Sequence, residues 1–173
     1  MEENKNKKVN LKKATLEILS YVAIIIVVIL IKTYIASPIK VNGNSMYKTL
    51  HDKDIMILNE YIYYFDDIKR SDIVVVKEHG ELLIKRVIGL PGDTVECKNG
   101  SVYVNKKKLI ETYVNGTTDD FEKVTLNRDQ YFVMGDNRSV SLDSRTYGAY
   151  DKKDIKGKAS LTIYPFNRFG IKE

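Results

Sequence analysis

Two side chains of this sequence pair a nucleophile with a base that could activate it. Ser45 stands in VNGNSMYKTL (41–50), between Asn44 and Met46, and Lys85 stands in ELLIKRVIGL (81–90). A serine hydroxyl is a weak nucleophile until a neighbouring base takes its proton. Histidine commonly does so, but His51 in LHDKD and His79 in KEHGE sit among charged neighbours and read as solvated loop residues, although folding could bring either to Ser45. Lys85 has Leu83 and Val87 as same-face neighbours at the strand period of two, where a solvent-facing lysine would more often have polar ones. If it points inward, burial disfavours the ammonium and can lower its pKa by roughly 3 to 5 units, leaving an amine able to accept a serine proton. An exposed strand lysine is the plainer alternative, and this strand alone leaves both open.

A third cluster, MGDNRSVSLDSRTYG (134–148), packs Asp136, Asp143, Arg138 and Arg145 among Ser139, Ser141 and Ser144. It could be a turn held by ion pairs and side-chain to backbone hydrogen bonds. It could equally be the surroundings of a buried base, since a neutral lysine amine still needs a hydrogen-bonding partner. Metal chemistry finds no support: there is no HExxH and no paired histidine, and Cys97 is the sole cysteine, which reads as a small buried hydrophobe. No cofactor is implied.

The elements that must position these residues begin with LEILSYVAIIIVVILIKTYIA (16–36), charged only at Glu17 and Lys32. As a helix at about 1.5 Å per residue it reaches roughly 31 Å, enough to cross a bilayer. Lys5, Lys7, Lys8, Lys12 and Lys13 precede it, which by the positive-inside rule puts residues 1–15 in the cytoplasm and 37–173 outside. A basic start followed by an apolar core also describes a cleavable secretory signal, but no small-x-small pattern follows cleanly and Pro38 falls where the cut would be. After the anchor, short β-like runs dominate: 54–58, 72–77, 81–90, 94–97, 101–104, 130–136 and 160–166, with KNG (98–100) joining two as a hairpin and PGD (91–93) marking a turn. Residues 111–127 are polar and weakly patterned, and read as a loop. At 173 residues, 43% hydrophobic and 29% charged, the chain is a folded protein with one ordinary core. Its net charge of +5 is carried partly by the N-terminal lysines, and without a zinc-finger or RNP pattern no nucleic-acid partner is implied.

NSMYKTL, DIVVVK, IKRVIGLPGD and MGDNRSVSLDSRTYG, in that order behind one apolar segment and ending in SLTIYPFNRFG, closely resemble type I signal peptidase over nearly the whole chain. The resemblance implies a mainly β, signal-peptidase-like sheet or barrel domain behind a single transmembrane helix. It implies a serine endopeptidase, monomeric, in the plasma membrane, cutting signal peptides from exported preproteins at small residues. Ser45 matches the family nucleophile and Lys85 its general base, while Ser141 matches a serine that hydrogen-bonds the lysine. Arg86, Asp136, Asp143 and Arg145 match residues whose ion pairs shape the site; Arg138, Ser144 and Asn137 match supporting positions. Gly43 stands where some members place an oxyanion-hole serine, so the hole is expected to rely on backbone N–H groups, Ser45 N–H first. The compact stretch between Asp93 and Gln130 matches the Gram-positive form. Lys48 stands where the family usually has proline, and a second cation near the dyad would lower the Lys85 pKa if the two came close. Two other classes are compatible with parts of the pattern, a Ser/Lys peptidase that cuts itself and an inactive membrane-tethered peptide-binding module.

Overall fold

The computed structural model describes the backbone of residues 2–34 and 37–172 and the side chains of 13–29 and 37–172. It divides into two units, Met1–Ala36 and Ser37–Glu173. The first is the helix α1 (Glu2–Tyr34), whose sequence contains neither glycine nor proline. Its apolar side chains from Leu16 to Ile29 stand exposed. Among the described residues no helix is long and apolar enough to cross a membrane. The expected span, 16–36, continues past Ile29 into residues whose side chains lie outside those described.

Among the described residues the second unit contains, besides short helical turns, twelve strands: β1 (Ser37–Lys40), β2 (Ile55–Asn59), β3 (Ile73–Glu78), β4 (Glu81–Gly89), β5 (Thr94–Lys98), β6 (Ser101–Val104), β7 (Lys107–Lys108), β8 (Phe121–Thr125), β9 (Gln130–Met134), β10 (Tyr150–Asp151), β11 (Ile155–Tyr164) and β12 (Gly170–Ile171). The larger sheet runs β1-β2-β11-β3-β4-β9-β10, with β12 added to β11, and the smaller runs β7-β6-β5-β8. All named pairings are antiparallel. The continuous apolar run of β3 follows from its central place, because both faces are covered. Ile73 and Val75 join a core with Met46, Leu50, Met56 and Leu58, while Val74 and Val76 join Ile68, Val87, Tyr131 and Val133 on the other side. Cys97 is buried in a third core, with Ile88, Val95, Val102, Phe132 and Met134.

The expected strands are present, and the KNG hairpin turns at Asn99 and Gly100 with φ of 51° and 70°. Positive φ at both positions is what a tight hairpin between right-twisted strands needs. Residues 111–127, read from sequence as a loop, require correction. They contain β8, whose Phe121-Glu-Lys-Val-Thr alternation is short and broken by charge, and which forms by pairing with β5. β11 also starts five residues earlier than the apolar pattern at 160–166 suggested. Gly157 lies in that early part, at a shift of register against β3.

There the backbones of β11 and β2 approach so closely that a Cβ on Gly157 would collide with the Asn59 carbonyl oxygen and lie 2.8 Å from its carbon. Gly157→Ala should therefore lower stability by about 1–3 kcal/mol, the usual range for overpacking, measured as the shift of the urea midpoint. An unchanged midpoint would mean the two strands can separate at no cost.

Candidate active site

Ser45 and Lys85 are forty residues apart and meet at the end of the sheet. β4 pairs with β3 from Glu81 to Arg86, which carries Lys85 into the interior beside Val74. β1 runs up to Lys40, and the turn that follows brings Ser45 across to β4. Lys85 Nζ lies 2.9 Å from Ser45 Oγ. Lys85 is 2% exposed and Ser45 is half-buried, so the contact is reachable by a peptide but poorly solvated. This decides between the two readings of Lys85: it points inward.

Burial pushes the Lys85 ammonium down from its ordinary 10.5 to about 8. The carboxylates of Asp143 and Asp136 oppose that shift and the guanidinium of Arg145 assists it. Arg145, and not Lys48, is the cation acting on Lys85; Lys48 points into solvent. Each carboxylate is engaged by its own arginine. Arg86 binds Asp136 through two bonds, Nε to Oδ1 at 2.8 Å and Nη2 to Oδ2 at 2.7 Å, with both side chains fully buried. Arg145 binds Asp143 likewise, at 2.9 Å from Nε and 2.9 Å from Nη2. Burial alone would raise the Asp143 carboxyl, but the bonds from Arg145 and from the Gly135 N–H outweigh it and hold it below the usual carboxylate range.

The same region also holds the loop of residues 44–49. Asn137 N–H donates to the Ser45 carbonyl at 2.9 Å and Asn137 Nδ2 to the Asn44 carbonyl at 3.1 Å. At the loop's far end Thr49 Oγ1 donates to Asp136 Oδ2 at 2.5 Å. Among the described residues the Ser45 N–H makes no hydrogen bond within the chain, and is free for an incoming oxygen. Gly43 has φ of 84°, open space beyond its Cβ position, and its N–H spent on Asp52 Oδ1 at 2.9 Å, so it is no oxyanion donor as it stands. His79 is exposed beside Glu78, as expected. His51 differs from expectation: it is half-buried, edge-on to Tyr47, and Ser45 is paired with lysine instead.

One expected contact is absent. The Ser141 hydroxyl is buried without a regular hydrogen bond, close enough to Asp143 to help lower its pKa but not bonded to Lys85. It is packed against Gly135, on whose missing side chain it encroaches. Three supporting residues were invisible in the sequence, all from the stretch read as a loop. Glu111 and Thr118 bind the buried Arg138, and Tyr113 lies over Arg86. Arg138 in turn donates to the Gly135 carbonyl at 3.1 Å. Their signal was only composition, a few acids and aromatics without period.

Beside the dyad lies a cleft of about 60 Å³ lined by Val41, Asn42, Ser45, Met46, Leu83 and Lys85, among others. β4 pairs with β9 only from Arg86 onward, so residues 81–85 present an unpaired strand edge to this cleft. A wider hollow of about 750 Å³, around Asn127–Gln130 and Asp151–Lys153, contains no residue of this site. No group of metal-ligating residues occurs among those described. The arrangement can attack a carbonyl of an extended peptide with a hydroxyl activated by an amine.

The family model described as signal peptidase, peptidase S26, matches residues 15–164. The signal peptidase I of Bacillus amyloliquefaciens is 39% identical, over 95% of this chain and 96% of that one. Signal peptidase I S of Bacillus subtilis is 41% identical, over 94% and 96%. A crystal structure of a signal peptidase I from Enterococcus faecalis superposes with a TM-score of 0.50 at 32% identity, covering 54% of this chain and 97% of that one.

Gly135 offers a test of how tightly the loop is held. A Cβ there would overlap Ser141 Oγ and lie 2.5 Å from the Ser45 carbonyl oxygen, so Gly135→Ala must push Ser45 away from Lys85. Turnover of a cleavable peptide should fall on the order of 100-fold, the size expected for a displacement of about 1 Å. Turnover within threefold of the unsubstituted protein would show that the loop accommodates the methyl group.

Proposed function

The chain belongs to the peptidase S26 family of signal peptidases and cleaves signal peptides as a serine peptidase, and from that premise we propose that Ser45 is its nucleophile and Lys85 the base that activates it. The observation that carries this reading is the 2.9 Å contact between a buried lysine amine and the serine hydroxyl. With Lys85 neutral, the Ser45 O–H donates to the amine lone pair. As Oγ bonds to the scissile carbonyl carbon, Lys85 takes the proton, and the oxygen that becomes negative is met by the free Ser45 N–H. Collapse breaks the C–N bond, and Lys85 returns the proton to the departing amine, the new N-terminus of the mature protein. Lys85 then takes a proton from water as its oxygen bonds to the acyl carbon, and returns that proton to Ser45 Oγ as the ester bond breaks and the signal peptide leaves.

The unpaired edge at 81–85 supports binding of the preprotein as an added strand, aligned by main-chain hydrogen bonds. The narrowness of the adjoining cleft supports small side chains at the cut. Arg86, Asp136, Asp143 and Arg145 hold charge and geometry around the dyad, and Ser141 completes the packing over Gly135. No metal or cofactor is required.

We assign the N-terminal helix as a single-pass anchor in the plasma membrane, with the lysine-rich start in the cytoplasm and the catalytic unit outside as a monomer. The exposure of its apolar side chains from Leu16 to Ile29 supports this, because such a surface is stable in lipid and not in water. About nine residues separate Ala36 from Ser45 in the sequence, a short link between anchor and nucleophile.

Incubation in detergent with a preprotein should release the mature form, and Ser45→Ala and Lys85→Ala should each abolish release. Lys85→Arg should fail too, since guanidinium keeps its proton. Because the active form is the neutral amine, kcat/KM should rise with pH to a plateau, with its midpoint at about 8. Full activity of Lys85→Ala would sink the dyad. Carbonate washing of membranes at alkaline pH should leave the chain in the pellet, and its release to the supernatant would contradict the anchor.

A further inference from the structure

Arg86 uses all the edges of its guanidinium. Nε and Nη2 bind Asp136, Nη1 donates to the Ser71 carbonyl at 3.0 Å, and Nη2 also approaches Thr49 Oγ1 at 3.4 Å. What is left is the flat face, which forms no hydrogen bonds yet carries positive charge in a fully buried place. Tyr113 covers it, with the Arg86 Cζ atom 4.0 Å from the ring centroid. The negative face of an aromatic ring is one of few neighbours that can stabilise such a surface without water. The same side chain reaches further. Its hydroxyl donates to Glu111 Oε1 at 3.1 Å, and Glu111 is the partner of Arg138.

Tyr113 thus touches both buried ion pairs that flank the Gly135–Asn137 segment. The chain around it is pinned there as well: Asn115 N–H donates to the Asp136 carbonyl at 2.8 Å, and Arg138 N–H to the Asn115 carbonyl at 3.0 Å. The segment between Gly135 and Asn137 carries the N–H that grips Ser45, so what fixes Asp136 fixes the nucleophile.

We propose that Tyr113 is a positioning residue for the proteolytic reaction: its ring holds the Arg86 guanidinium flat against Asp136, and its hydroxyl ties that pair to Glu111 and Arg138. Tyr113 reaches neither member of the dyad. It acts through the chain Arg86, Asp136, Asn137, Ser45, and the proposal rests on the reading of Ser45 as nucleophile.

A ring whose shape is kept while its face is drained of electron density separates the cation–π contact from simple packing. Phenylalanine, its 4-fluoro form and its 3,4,5-trifluoro form, placed at position 113 of the full chain in detergent, make such a series. Tyr113→Phe keeps the ring face but loses the bond to Glu111, and kcat should fall about threefold; across the fluorinated forms it should fall stepwise by about a further tenfold. KM should move less than twofold and the melting temperature little, because shape is preserved. A kcat that stays flat from phenylalanine to trifluorophenylalanine overturns the proposal, and so does a fall that appears wholly in KM. Ser45→Ala measured alongside keeps the two readings apart. If it is silent while the fluorine series is flat, only the role of Tyr113 fails; if it cleaves normally, the nucleophile is wrong.

Discussion

An ammonium removed from water loses solvation that a protein can restore only with carboxylates or several hydrogen-bond acceptors, and the catalytic unit withholds both from Lys85. The residue is set in β4 next to the central strand, with valine beside it and, among the described residues, a serine hydroxyl as the hydrogen-bond partner of its amine. Two carboxylates stand close enough to act on it, and either could have trapped it as the cation. Each is instead bound in a bidentate pair by an arginine of its own. The ion pairs therefore do more than stiffen the site. The pull of both carboxylates on Lys85 remains, but Arg145 counters it and desolvation dominates its protonation.

That constraint explains the surrounding architecture. Burying Arg86 with Asp136 and Arg138 with Glu111 is costly unless every donor finds an acceptor, and losing one partner of such a pair costs about 3–5 kcal/mol. The connection between β7 and β8 supplies what is missing: Glu111 and Thr118 for Arg138, the Tyr113 ring for Arg86, the Asn115 carbonyl for the Arg138 N–H. The same groups, once fixed, clamp the 44–49 loop at both ends. The electrostatics around Lys85 and the positioning of Ser45 are served by one set of bonds.

Much of this was legible in the sequence because its signals are local. Strand alternation and the Asn-Gly turn gave the strands and a hairpin, and the apolar neighbours of Lys85 at period two hinted at its direction. The clustered charges of 134–148 announced a network, though not its pairing. What escaped depends on tertiary contacts. The segment 111–127 has no period, since its residues are chosen one at a time to satisfy Arg86 and Arg138, and β8 exists only because β5 offers it an edge. Ser141 is an intermediate case: its place beside the site was expected, but packing against Gly135 leaves its hydroxyl without the lysine as a partner. The helix expected from residue 16 in fact begins at Glu2, a start that the polar residues before Leu16 did not signal, and its apolar side chains from Leu16 through Ile29 are exposed.

The claim on which the rest turns is that burial leaves Lys85 neutral at a pH where other lysines are charged. Carbon-13 NMR of the lysine ε-carbon, assigned by comparison with Lys85→Met and followed through a pH titration of the full chain in detergent micelles, reads this directly. The account requires one lysine resonance titrating with a midpoint at about 8, well separated from the rest. A Lys85 resonance that titrates at its ordinary 10.5 would contradict it, because the amine could not then take the serine proton at neutral pH.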